Sequence, residues 1–314
     1  MSARVSSYRL ALLRTQLHGL APITKGLSAV AKRLFDIILS LIGLIILSPF
    51  LGLIALFIKR DSPGPVFYWG RRLGRNGSIF RMVKFRTMFE RQQSYDGPRL
   101  TSNGDPRITP FGRWLRDTKI NELPQLWNVL IGEMSFVGPR PEDPELGKKW
   151  PEEARQKILS VRPGITSPAS ILYHDEEKLL SQKDALSEYF KSILPDKLRL
   201  DLLYVRHHSF SSDLDTIFWT LAILLPQWAK TKIPVGYLFA GTFTRLVNRY
   251  VTWFVIDLLE TLVIVSGVVF IWRSQTPLNW GIENIAIFAF CLVFLFSGVN
   301  SIVGLNRIDW SQAT

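Results

Sequence analysis

Glu122 is the residue of this chain best placed by its neighbours to do chemistry. It follows Asn121 within Thr118-Lys119-Ile120-Asn121-Glu122-Leu123-Pro124-Gln125-Leu126-Trp127-Asn128. Arg107, Arg113 and Arg116 precede this stretch, and Arg140 follows it between Pro139 and Pro141. A rigid backbone that presents one guanidinium loses little entropy on binding a phosphate or nucleotide. Lys84 and Arg86 lie two apart on a predicted strand and share a face. Cations around a carboxylate suit phosphate chemistry. The cations receive anionic oxygens, and an ionised Glu122 holds Mg²⁺ or serves as base or nucleophile. The competing reading is structural: Asn121 caps a helix, Glu122 complements its dipole, and neither reacts.

Both readings need a helix that starts near Asn121. Pro124 is tolerated in its first turn, and Leu123, Leu126, Trp127 and Leu130 recur as its buried stripe. Before it, Thr109 and Pro110 open another helix as N-cap and first residue, with Phe111, Trp114 and Leu115 apolar. Further upstream, Val66-Phe67-Tyr68 and residues 79–85 read as strands joined by a turn at Gly74-Arg75-Asn76-Gly77. Downstream, 143–160 is predicted helical and Val161 to Thr166 a turn. Residues 174–200 are predicted as a helical stretch broken at Pro195, and an apolar amphipathic segment ends near Trp228. His207-His208 lacks a partner at metal-ligand spacing and reads as surface.

The whole chain has 314 residues, 47% of them hydrophobic, and a net charge of +12. The two properties are segregated: apolar runs fall at 34–58 and 251–303, with basic residues before and between. A basic, membrane-attached chain seeks anionic partners such as lipid headgroups, phosphorylated lipids and nucleotides. No zinc-finger spacing or basic-aromatic RNA motif supports nucleic acid. The single cysteine, Cys291, excludes an intrachain disulfide and a cysteine-clustered metal site. The first apolar run starts too late for a cleavable signal peptide.

Residues 1–31 read as a basic amphipathic segment on anionic lipid, or else a disordered basic tail. Ile37 to Ile58 is an uncharged run with Lys32 and Arg33 before it and Lys59 and Arg60 after it, so charge does not orient a simple span. Ser48-Pro49 sits at its middle, where proline frees a carbonyl that the serine can satisfy. The favoured reading of 32–60 is a re-entrant membrane helix broken at Ser48-Pro49; an ordinary proline-kinked membrane helix is the alternative. Two further spans, about 251–272 and 284–306, form a hairpin whose outer ends the positive-inside rule puts in the cytoplasm. Asp257 and Glu260 share one face of the first. The expected fold is therefore α+β and membrane-associated. It comprises the re-entrant helix, a small cytoplasmic α/β catalytic domain with interfacial helices over 61–230, and a C-terminal transmembrane hairpin within 231–314.

The ordered motifs carry a resemblance. Lys32 to Asp36, Ser48-Pro49, Lys84-Phe85-Arg86-Thr87-Met88, Asp105 to Thr109, Asn121 to Leu130, Gly132-Glu133-Met134-Ser135, Val137 to Pro141 and Arg162 to Thr166 are similar to the bacterial sugar transferases. These are monotopic polyprenyl-phosphate phosphoglycosyl transferases, and the match covers roughly residues 30–225. The resemblance implies transfer of a sugar-1-phosphate from a UDP-sugar to undecaprenyl phosphate, with release of UMP and with Mg²⁺. This initiates capsule, exopolysaccharide or O-antigen synthesis. It also implies the bacterial inner membrane, with the catalytic domain on its cytoplasmic face, and partners in polysaccharide assembly. The carried-over site is Glu122 and Asn121 as catalytic positions, Glu122 as metal ligand, and Lys84, Arg86, Arg107, Arg116 and Arg140 for phosphate and nucleotide.

The chain departs from the family pattern at two places. Asn121 stands where the family has a nucleophilic aspartate, and Ser167 stands where glycine is commoner. A carboxamide is neutral and a poor nucleophile. Three expectations follow: Glu122 acts as nucleophile or base or assists direct transfer, Asp117 substitutes, or the chain is a catalytically degenerate scaffold of a polysaccharide-assembly complex.

Overall fold

The structure is a computed structural model. It describes residues 25–92, 94, 101, 104–175, 185–225, 233–247, 258, 261–267 and 282–303. The chain divides into two compact units, 1–241 and 242–314.

Helix α1, Lys25–Asp61, runs through Pro49 without interruption. Pro49 cannot donate to the carbonyl four residues back, which is that of Ile45. Ser48 Oγ donates to that same carbonyl at 2.8 Å, so the break expected at Ser48-Pro49 leaves no orphan and the helix continues. One stripe of α1 packs on the rest of its unit: Asp36, Ser40, Ile54 and Ile58 are buried, and Gly43, Leu47 and Leu51 partly so. The other faces stay exposed and apolar, with Ile45, Ile46, Phe50 and Leu53 at 40% exposure or more. By length and composition, Ala29–Asp61 is apolar enough to cross a membrane. A surface of this kind is compatible with a membrane-associated domain.

Strands β1 (Phe67–Leu73) and β2 (Ile79–Phe85) form an antiparallel hairpin, with Phe67 opposite Phe85 and Leu73 opposite Ile79. The strand expected at 66–68 is thus longer. Asn76 and Gly77, with φ of 58° and 75°, make the turn where the sequence places it. Helix α2 (Pro110–Asp117) starts on the expected cap, the Thr109 side chain accepting from Gly112 N. A 3-10 turn at Ile120–Gln125 leads into the short helix α3, Leu126–Ile131.

One segment given no element in the sequence and one read as a turn are strands. Ser135–Val137 (β3) and Gly164–Thr166 (β4) pair in parallel. Their signal is weak because each is only three residues long and the pairing is long-range. Gly138 and Gly164 permit it: a Cβ at Gly164 would meet Gly138 N at 2.1 Å. Helices α4 (Pro144–Gly147) and α5 (Glu152–Ile158) lie between β3 and β4 in the chain, and α6 (Pro168–Leu172) follows β4. Ser167, the unusual residue, caps α6 by accepting from Ser170 N.

Helix α7 (Ala185–Glu188) continues through a π turn at Tyr189–Ile193 into α8, Leu194–His207. Pro195 therefore does not break the stretch. Leu194 N bonds to Tyr189 O, five residues back, and the widened turn takes up the bond that proline cannot make. Helices α9 (Phe210–Leu224) and α10 (Val235–Phe239) complete the first unit. Their apolar faces meet α6, α8 and β3 in one core containing Val137, Ala169, Ile171, Tyr204, Leu238 and Phe239. In the second unit, α11 is Thr242–Leu246 and α12 is Ile282–Val303, the latter overlapping the expected span at 284–306 over residues 284–303. The expected N-terminal segment through residue 24, most of the span at 251–272, and Asp257 and Glu260 lie outside the described residues.

Candidate functional site

Three charged residues from separate elements meet at Glu122. Strand β2 supplies Lys84 near its end. The 3-10 turn supplies Glu122, and the loop after β3 supplies Arg140. Lys84 Nζ lies 2.8 Å from Glu122 Oε1, and Arg140 Nη2 donates to the same oxygen at 2.7 Å. Arg140 Nη1 reaches Glu122 Oε2 at 3.4 Å. The Glu122 and Lys84 side chains are 13% and 16% exposed, whereas Arg140 is 35% exposed and is the open side of the cluster.

Burial pushes the Glu122 carboxyl up, but Arg140 and then Lys84 more than offset it and hold the group well below the usual carboxylate range. Glu122 is therefore ionised, as its sequence position suggests. Burial pushes Lys84 down; Glu122 opposes the shift, Arg140 and Arg72 add to it, and the lysine settles at about 8.

Asn121 is not a helix cap. The residue before the 3-10 turn is Lys119, in the left-handed region at φ 58°, and Asn121 sits inside the turn. Its side chain is buried, and its Oδ1 lacks a hydrogen-bond partner. The tighter turn also defeats the expected stripe. With about three residues per turn, the helical phase slips before α3 begins. Pro124, Gln125, Leu126, Asn128 and Val129 become the buried positions, while Trp127 is 48% exposed and Leu123 and Leu130 are only partly buried.

Of the other cations expected to bind phosphate, the structure puts three elsewhere. Arg86 is buried and donates to the carbonyls of Pro63 and Ser62 at 2.7 and 2.6 Å, tying β2 to the end of α1. Arg107 chelates Asp105, with Nη2 to Oδ2 at 2.6 Å. Arg116 donates to Thr87 Oγ1 at 3.3 Å. Of these five cations, Lys84 and Arg140 contact Glu122.

Sequence reasoning missed the residues that set this spacing. Asn128 Oδ1 accepts from Val83 N at 3.0 Å, and its Nδ2 donates to Arg81 O at 2.9 Å and to Glu133 Oε2 at 2.6 Å. This carboxamide takes the place of a neighbouring strand on β2 and fixes α3 beside Lys84. Glu142 pins the far side of Arg140: its carbonyl accepts from Leu73 N at 2.9 Å and its Oε2 from Tyr189 at 2.7 Å. Lys32 and Arg33, read as topological charges, face inward. Arg33 caps α3 through the carbonyls of Val129 and Leu130 at 2.7 and 2.9 Å. Lys32 pairs with Asp213 and donates to Val137 O at 3.0 Å. Asp36 Oδ1 accepts from Phe136 N at 3.1 Å. A buried asparagine on the inner face of an apolar helix was the one available signal for Asn128. Among the described residues no three His, Cys, Asp or Glu side chains group as metal ligands; of the two histidines read as surface, His208 is exposed and His207 half-buried.

Comparison with known proteins gives the cluster its context. The sequence model of a family described as bacterial sugar transferase matches residues 27–227. The undecaprenyl-phosphate glucose phosphotransferase of Komagataeibacter xylinus is 42% identical over 195 residues, 60% of this chain and 35% of that protein. The UDP-glucose:undecaprenyl-phosphate glucose-1-phosphate transferase of Klebsiella pneumoniae is 38% identical over 199 residues, 62% of this chain and 40% of that protein. The exopolysaccharide production protein PSS of Rhizobium leguminosarum bv. phaseoli is 49% identical over 199 residues, 61% of this chain and 94% of that protein. The chain thus spans less than half the length of the first two relatives.

Proposed function

This chain belongs to the bacterial sugar transferases, and on that premise we propose that it passes a sugar-1-phosphate from a UDP-sugar to undecaprenyl phosphate, releasing UMP. The reading is carried by the convergence of Lys84 and Arg140 on the ionised Glu122, all inside the matched region. Relatives named as undecaprenyl-phosphate sugar phosphotransferases favour an enzyme over a scaffold. The product would begin an exopolysaccharide, capsule or O-antigen repeat.

In this reading Lys84 and Arg140 bind the donor's diphosphate through charge-assisted hydrogen bonds. Asn121 offers no nucleophile, so the transfer is a direct displacement. A phosphate oxygen of the lipid acceptor attacks the sugar-bearing phosphorus. The bond from that phosphorus to the bridging oxygen breaks, and UMP leaves with the electron pair. Positioning and charge stabilisation are the protein's main contributions to such a step. The donor set fits Mg²⁺ in company with substrate oxygens, since Mg²⁺ is commonly held by one or two carboxylates plus phosphates and water. Glu122 would hold it, with Asn121 Oδ1, a buried oxygen lacking a partner, as a neutral donor beside it. When bound, the ion supplies positive charge against the departing phosphate.

The same reading places α1 as a re-entrant helix on the cytoplasmic face of the inner membrane. It is supported by the contacts at both ends of the apolar stretch. Lys32, Arg33 and Asp36 at one end, and Ile54 and Ile58 at the other, meet the same unit. A straight crossing would put those two ends on opposite sides of the bilayer, so the reading requires the continuous helix to bend at Pro49. The basic residues before α1 suit anionic lipid, and the apolar α12 suits a membrane hairpin.

The test is release of UMP by purified protein in lipid nanodiscs, with undecaprenyl phosphate and a panel of UDP-sugars. Release from at least one donor, strictly dependent on the acceptor, is expected. No UMP from any donor overturns the reading, and UMP released in single turnover without acceptor overturns direct displacement.

A further inference from the structure

Glu122 is held closed in the resting site. Lys84 and Arg140 both bond its Oε1, and Arg140 alone spans both carboxylate oxygens. A guanidinium presents the same fork to a carboxylate and to a phosphate. We propose that Glu122 is the site's own stand-in for the donor diphosphate: the nucleotide takes Lys84 and Arg140 from the carboxylate, and Glu122, once released, binds the divalent cation. Nucleotide therefore binds first and cation second. The inference rests on the donor reading above.

Charge sets the order. Lys84, Arg140 and Glu122 carry one net positive charge between them, and Arg72 adds to the positive field at Lys84. A divalent cation arriving first meets like charge and a carboxylate whose oxygens are already engaged. The diphosphate of a UDP-sugar brings two negative charges and reverses the sign of the three-residue cluster, and the cation then restores it; free UDP brings one negative charge more. Arg140, the most exposed of the three, is the first partner a diphosphate meets. Asn121 belongs to this balance. Being neutral, it adds nothing against the two cations; an aspartate there would reduce the excess by one charge and favour a cation without nucleotide.

The experiment reads binding rather than turnover, on the full chain in nanodiscs. Free Mn²⁺ is followed by electron paramagnetic resonance without nucleotide, and UDP binding by calorimetry in EDTA. Wild type is expected to bind UDP in EDTA and to bind Mn²⁺ weakly when nucleotide-free. Asn121→Asp and Lys84→Met each remove one net positive charge and are expected to tighten nucleotide-free Mn²⁺ binding about ten-fold or more. Adding Glu122→Gln to either abolishes the gain. Nucleotide-free Mn²⁺ binding by wild type as tight as by Asn121→Asp overturns the proposal. UDP binding only in the presence of the cation overturns the order but leaves the donor reading standing. UDP binding under neither condition overturns both. Asn121→Asp changes one buried atom pair and keeps the test valid if Lys84→Met does not fold.

Discussion

Two partly buried lysine–carboxylate ion pairs of the first unit, Lys32 with Asp213 and Lys84 with Glu122, are built to opposite specifications. At the foot of α1, Lys32 pairs with Asp213, and each has further partners. Lys32 donates to Val137 O, and Asp213 Oδ1 accepts from the Tyr204 hydroxyl at 2.9 Å. Charges there match one to one. Burial pushes the Asp213 carboxyl up; Lys32 and Tyr204 pull it back without cancelling the shift. At the candidate site, two cations face one carboxylate, Arg140 is partly open, and the adjacent Asn121 has an unpartnered oxygen. A buried charge pair with every bond satisfied serves to dock one element on another. A single carboxylate shared by two cations can be displaced from them by an anion with more oxygens. The difference separates anchor from site without reference to any motif.

The largest expected effect breaks the anchor. Lys32→Met leaves Asp213 buried without its cation and should destabilise the unit by about 3–5 kcal/mol, read by chemical unfolding in detergent. Asp213→Asn in the same chain should recover part of that loss, because the uncompensated charge is gone. Breaking the site should read differently. Arg140→Ala should weaken UDP binding by about 30–100-fold, the loss of charge-assisted bonds worth roughly 2–3 kcal/mol. Its melting temperature should stay close to that of wild type, since Arg140 is the most exposed member. A melting temperature lowered as far as in Lys32→Met would erase the distinction.

A smaller effect follows from Lys84, which settles at about 8 in the resting site. Below that pH the lysine is charged and contributes fully to diphosphate binding. As pH rises through it, free protein loses the proton, and UDP affinity should fall by up to ten-fold per pH unit. Calorimetry between pH 7 and 10 should show this fall, and Lys84→Met should remove it. The smallest change is in α1 itself. Ser48→Ala leaves the Ile45 carbonyl unserved at Pro49 and should cost about 1 kcal/mol in unfolding, with UDP affinity unchanged.

Local rules explain what was legible in the sequence. The β1–β2 hairpin, the Thr109-Pro110 helix start and the Ser48 compensation at Pro49 each depend on a few neighbouring residues. Long-range pairing explains most of what was not. The β3–β4 strands carry almost no periodicity, and their parallel contact exists only because Gly138 and Gly164 permit close approach. Asn121 has the right residue type for a cap, but a left-handed Lys119 and a 3-10 turn move it inside. The cations divided for the same reason. Lys84, Arg86, Arg107, Arg116 and Arg140 look alike in sequence, yet partners distant in the chain assign Arg86 to the end of α1 and Arg116 to Thr87, while Arg107 is held locally by Asp105, two residues before it.

The sequence by itself determined the kit: an apolar helix with its proline compensated, an ordered set of family motifs, a carboxylate destined to be ionised, and a neutral residue beside it. Only the tertiary structure decided which two cations meet that carboxylate. That choice rests on contacts between residues far apart in the chain. Asn128 fixes β2 against α3, and Glu142 and Tyr189 pin the loop of Arg140. Charge balance at a site is a sum over such neighbours, and composition along the chain does not contain it.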